Sequence, residues 1–144
     1  MEVFGLPIHP LVVHAAVVLV PLSALGALAV IVSARLRERY GWLTVWFAVA
    51  AAGAAILAKF SGEALLASLG VGRLVATHES YGELMPYPTV ALALFLPAAL
   101  LLHRRSGPGW WVAAGLTAVA AVAGLVLVAL TGHSGATAVW GGRT

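Results

Sequence analysis

Cysteine is absent from this chain, and so is aspartate. Without cysteine the chain forms no disulfide, no thiolate metal site and no iron–sulfur ligation, and it cannot attach a c-type haem. Charge is scarce as well. Asp, Glu, Lys and Arg make up 9% of the residues, against about 25% in an ordinary soluble domain. No nucleotide-binding glycine loop and no HExxH pair is present, and no carboxylate lies deep in an apolar run. Those absences argue against P-loop and zincin chemistry and against a carboxylate-driven pump. Ser61 and Ser134 have no base and orienter that would make either a nucleophile.

What remains is apolar. The 144 residues are 62% hydrophobic, with a mean hydropathy of +1.02, which is the composition of a membrane protein. Four apolar runs, at about residues 8–32, 42–59, 84–103 and 110–131, predict an all-α fold. The expectation is a single domain, an antiparallel four-helix bundle crossing the bilayer. Pro7 and Pro10 stand at the entrance of the first run, where proline is tolerated, and Pro21 lies inside it. The second run is rich in alanine, which permits close backbone approach and is compatible with a homo-oligomer. Residues 65–84 are broken by glycine and charge and read as an interfacial segment.

The sequence pI near 10 comes from eight Lys and Arg against five Glu. These basic residues cluster at span ends, so they indicate topology rather than a nucleic-acid partner. Arg35, Arg37, Arg39, Arg104 and Arg105 occupy the first and third connections. The positive-inside rule then places those connections in the cytoplasm, with both termini outside the cytoplasmic membrane. Trp42, Trp46, Trp110, Trp111 and Trp140 lie at or near span ends, as an aromatic belt requires.

With that topology His9, His14, His78 and His133 share the outer side, and His103 belongs to the basic cytoplasmic turn. His14 is the most informative. If the helix begins near Pro10, it sits about 6 Å into the span, where a polar group needs a partner within the bundle. That partner is either a neighbouring helix or a haem iron or metal ion. His9 precedes Pro10 and is less constrained, and reads equally as an interfacial surface residue; five residues place it roughly 140° of helical rotation from His14, so the two need not share a face. His78 and Gly82 are i,i+4, and Gly82 leaves space beside the imidazole. Glu79 and Glu83 form the adjacent stripe and can orient a ligating ring. Gly132 and Gly135 flank His133, and either end the fourth helix or let a flat ligand or another backbone approach. Lys59, Ser61, Gly62 and Glu63 sit at the same level of the second helix, with Lys59 and Glu63 spaced as an i,i+4 ion pair.

The stretch "IHPLVVHAAVVLVPLSA" resembles the opening motif of a bacterial membrane-protein family known as domain of unknown function 2231. The motif has the form H-P-x-x-V-H followed by a proline-containing apolar run; His9, Pro10, Val13, His14 and Pro21 match it. "FSGEA" resembles the family's S/T-G-x-x-A step, and "HESYG" its H-E-x-x-G step through His78, Glu79 and Gly82. "TGHSGATAVWG" resembles the closing T-G-H-x-G stretch through Gly132, His133, Gly135 and Val139. Ala15 stands where many members have an aromatic residue, and the first span lacks the carboxylate that many carry. The resemblance implies a neighbourhood of extracytoplasmic redox modules, Rieske-type or cytochrome c-type.

Three functions are therefore in view. The first is a membrane module serving electron transfer. It would hold a haem b or transition metal ion on His9, His14, His78 and His133, supported by Glu79, Gly82, Lys59, Glu63, Gly132 and Gly135. The second is a cofactor-free structural or assembly subunit whose histidines form a hydrogen-bonded layer. The third is a proton or metal-ion pathway.

Overall fold

The first apolar run forms one helix, α1 (Ile8–Val32). It begins at the proline-marked entrance and runs through Pro21 without ending. Our computed structural model describes residues 2–3, 6–69, 72–104 and 107–140. Arg105 and Arg143, which bear on topology, lie outside the described residues. Before α1, the strands β1 (Glu2–Val3) and β2 (Leu6–Pro7) pair antiparallel. Every other described element is helical: α2 (Ala34–Leu69), α3 (Gly72–Leu84), α4 (Pro86–His103) and α5 (Pro108–Trp140).

The helices extend beyond the apolar runs for identifiable reasons. Ser33 alone separates α1 from α2. Its Oγ accepts the Leu36 N–H at 3.4 Å, the geometry of a helix N-cap. The arginine cluster therefore forms the first turns of α2 rather than a loop. The 36 residues of α2 reach roughly 54 Å at 1.5 Å per residue, well past a hydrocarbon core of about 30 Å. The segment before the third span is helical too, as α3. Pro86 has no N–H to give the Gly82 carbonyl, and the Met85 N–H takes its place at 3.2 Å. Helix α5 continues through Gly132 and Gly135 to Trp140, so the glycines do not end it. Gly135 serves packing instead, against His78 of α3.

Helix α1 packs on α2 and α5, and α4 packs on the other sides of the same pair, leaving α1 and α4 diagonal. His9 lies beside Ser61 and Gly62, and Gly26 beside Thr44, so α1 and α2 are antiparallel. The close contacts of Gly41 with Leu100 and of Gly109 with Leu102 make α2 antiparallel to α4 and α4 antiparallel to α5, which leaves α1 antiparallel to α5 as well. Alanine dominates the core. Ala24, Ala27, Ala48, Ala120 and Ala121 meet Leu92 and Leu96 at its centre, where small side chains allow close helix approach in lipid. The buried hydroxyls of Ser23, Thr44, Thr89 and Thr117 each donate to a carbonyl of their own helix, as a water-free interior requires. The outer surface is apolar instead, with Val18, Leu25, Leu57, Leu94 and Val119 all more than half exposed. Among the described residues, four helices are long and apolar enough to cross a membrane.

Candidate functional site

At the α3 end of the bundle, two imidazoles face inward from different helices. His9, in the first turn of α1, has Nδ1 3.1 Å from Ser61 Oγ on α2. The Ser61 hydroxyl also lies 3.2 Å from the Ala58 carbonyl; with its proton on that carbonyl, its oxygen accepts from His9 Nδ1. His78, on α3, has Nδ1 2.9 Å from the Thr131 carbonyl of α5. A carbonyl only accepts, so Nδ1 is again the protonated nitrogen. Ser134 Oγ donates to the same carbonyl at 3.0 Å. In the neutral ring this leaves Nε2 as the lone-pair nitrogen. Neither Nε2 makes a hydrogen bond among the described residues.

Each ring rests closely against a glycine. A Cβ on Gly62 would lie 3.0 Å from His9 Cε1, and one on Gly135 would lie 3.0 Å from His78 Nδ1. Gly135, read from sequence as a helix end or as room for a flat ligand or another backbone, has the His78 imidazole against it. Gly82 and Gly132 have nothing within 4 Å of a built Cβ; Gly82 opens on a chamber and Gly132 faces outward.

That chamber, of about 230 Å³, lies between the two imidazoles and the apolar core. His9 and His78 line it together with Lys59, Glu63, Glu79 and Glu83, and its walls include Val13, Val20, Ala55 and Met85. Lys59 Nζ lies 3.8 Å from Glu63 Oε1, the ion pair anticipated from their spacing. The volume is below the range of about 300–1,000 Å³ usual for small-molecule sites. Among the described residues no three His, Asp or Glu side chains converge as a metal site.

The other two candidate histidines are elsewhere. His14 was expected inside the bundle; it is exposed, its Nδ1 bonded to the Pro10 carbonyl of its own helix. Helical phase is the cause: with His9 turned inward, a residue roughly 140° further round turns out. His133 is exposed as well. Thr131 and Ser134 address α3 from α5, and His133 falls about 100° from Ser134 on the helix, off that face.

The opposite end has a cluster of its own. Arg37 Nη1 lies 3.0 Å from His103 Nε2, and Nη2 donates to the Ile31 carbonyl at the end of α1. Its guanidinium sits 4.5 Å from the Trp110 ring centroid, and Trp110 meets His103 edge-on at 4.7 Å. Arg37 thus ties α1, α2, α4 and α5 together, whereas the sequence had shown only its charge.

The sequence profile of the family described as "Predicted membrane protein (DUF2231)" matches residues 5–144. The chain belongs to this family. No curated protein and no solved structure matches it. In this DUF2231 chain the motif steps interlock in pairs. The H-P step of α1 meets the S-G step of α2 through His9, Ser61 and Gly62. The H-E step of α3 meets the T-G-H-x-G step of α5 through His78, Thr131 and Gly135. Thr131, as the acceptor for His78, was not singled out from sequence. Its spacing of three and four residues from Ser134 and Gly135 was the available signal, since all three share one helix face.

Proposed function

We propose that this DUF2231 chain is a structural or assembly subunit of a membrane complex, its histidines forming a cofactor-free hydrogen-bonded layer. One observation carries this reading: the protonated Nδ1 of each inward imidazole is spent on another helix, His9 on Ser61 of α2 and His78 on Thr131 of α5. Each ring clamps two helices at the end of the bundle where α2, α3 and α5 extend beyond the apolar core. The apolar outer surface suits lipid or a second membrane protein. The positive-inside rule supports a cytoplasmic Arg37 end and an outer His9 end in the cytoplasmic membrane.

A second reading, a haem b or transition metal ion in electron transfer to an extracytoplasmic redox protein, has one observation in its favour. Both imidazoles line the chamber, and the partners of Nδ1 are of the kind that orient metal-binding histidines. Absorption spectra of the purified full chain, oxidised and reduced, with metal analysis of the same sample, separate the two. The assembly reading expects no Soret band and no stoichiometric metal, while His9→Ala and His78→Ala reduce yield or complex formation. Stoichiometric haem or metal that is lost in His9→Ala would refute it.

A further inference from the structure

Below His9, the α1 wall of the chamber is Val13, Ala16, Val17 and Val20, all apolar. The buried side chains of Val20, Ala55 and Met85 close its inner end. Its lining runs from His9 to Val20 on α1 and from Leu66 to Ala55 on α2, eleven residues along each helix. At 1.5 Å per residue that is about 16 Å, half of a hydrocarbon core of about 30 Å. The chamber is therefore about one leaflet long, and some 230 Å³ over that length makes it a narrow tube. Of the polar side chains at its His9 end, His9, His78 and Lys59 have partners within the protein, in Ser61, Thr131 and Glu63. Val17 is 49% exposed on a spanning helix, so the tube is continuous with the lipid-facing surface.

We propose that one acyl chain of a membrane phospholipid, from the leaflet at the His9 end, occupies this tube between α1, α2 and α3. The headgroup and the second chain stay outside. Water does not fill such a space, because a buried water needs two to four polar partners and an apolar cavity stays dry. Left empty, the tube forfeits the dispersion contacts of its whole lining. A helix of a second protein is about 10–12 Å across and is too wide for it. A compact ring fills only part of a leaflet's length. An acyl chain matches both the length and the narrow section, and the surrounding bilayer supplies it at the Val17 side. Gly82 helps keep the tube open: it lines the chamber, and a Cβ there would meet nothing within 4 Å. The site goes beyond the assembly reading and does not rest on it, because its walls belong to this chain alone.

The test is photolabelling of the full-length protein in phosphatidylcholine nanodiscs. A trace of phosphatidylcholine carries a diazirine in one chain, and mass spectrometry of the peptides locates the adducts. Lipid around the protein reaches exposed residues such as Val18, Leu25 and Leu94, but not the buried Ala16, Val20 and Met85. With the diazirine near the chain end, Ala16, Val20 and Met85 should be labelled in the wild-type protein. With the diazirine near the ester, the adducts should move to Val13 and Leu66. Gly82→Leu and Val13→Phe place bulk in the tube, and each should lower labelling of Val20 and Met85 several-fold while Val18 and Leu94 keep theirs. Gly132→Leu, at a helical glycine that faces outward, should leave the whole pattern unchanged. Labelling confined to exposed residues in the wild-type protein would overturn the proposal. So would labelling of Val20 and Met85 that persists in both filled variants, the reverse order of depth, or a diazirine fatty acid at the same concentration labelling the buried residues more strongly than the phospholipid.

Discussion

Gly132 and Gly135 lie one turn apart on α5 and provide an internally controlled test of the histidine layer. Each is helical, so alanine at either gains about 1 kcal/mol of helix propensity. The surroundings differ. A Cβ at 132 meets nothing within 4 Å, whereas a Cβ at 135 meets His78 Nδ1 at 3.0 Å and Cε1 at 3.1 Å. Both contacts are tighter than a relaxed side chain tolerates, so the ring must shift, and its 2.9 Å bond to the Thr131 carbonyl lengthens or breaks. Interhelical hydrogen bonds in membrane proteins contribute about 0.6 kcal/mol on average and up to about 1.7. Because the propensity gain is common to both variants, it cancels in their comparison. Gly135→Ala should therefore be less stable than Gly132→Ala by about 0.6–1.7 kcal/mol. Equilibrium unfolding in mixed micelles, followed by far-ultraviolet circular dichroism, measures that difference. Adding His78→Ala removes the obstructing ring, so the double variant His78→Ala/Gly135→Ala should be no less stable than His78→Ala alone. The reasoning fails if Gly135→Ala matches Gly132→Ala, or if the two changes at 78 and 135 are simply additive.

Other outcomes follow from the same geometry. His14→Ala and His133→Ala, both on the exposed surface, should each change stability by less than about 0.5 kcal/mol, while His9→Ala and His78→Ala cost about 1 kcal/mol or more by the same unfolding measurement. Arg37→Lys keeps the charge but not the planar fork over Trp110; it should cost about 1 kcal/mol, whereas exposed Arg35→Lys should be neutral. Single cysteines at the exposed positions Arg39 and Arg104 should resist an impermeant thiol reagent in intact cells, and one at exposed Ser80 should react; the reverse pattern would invert the topology.

The fold was legible because the features that fix it are long. Four apolar runs, separated by charge and proline, specify four helices whatever their exact phase, and the alanine-rich second run already announced close packing. Helix ends were harder to read. Ser33 is a single residue, yet as an N-cap it turns the arginine cluster from a loop into the start of α2. In the same way Gly132 and Gly135 fit a helix end as well as a helix interface, and only the ring of His78 against Gly135 decides for the interface. The candidate site was legible in its level along the bundle but not in its membership. All four histidines lie toward the same end of the bundle, but facing depends on rotation, and one residue is about 100° of it. His14 attracted attention because depth in a span makes a polar side chain costly. That cost falls on groups without a partner, and His14 has one in the Pro10 carbonyl one turn back. Burial of a polar ring therefore follows from which helix face meets a neighbour, a tertiary property, and not from distance along the chain. His9, close enough to the entrance to read as an interfacial residue, faces α2 and becomes half of the layer.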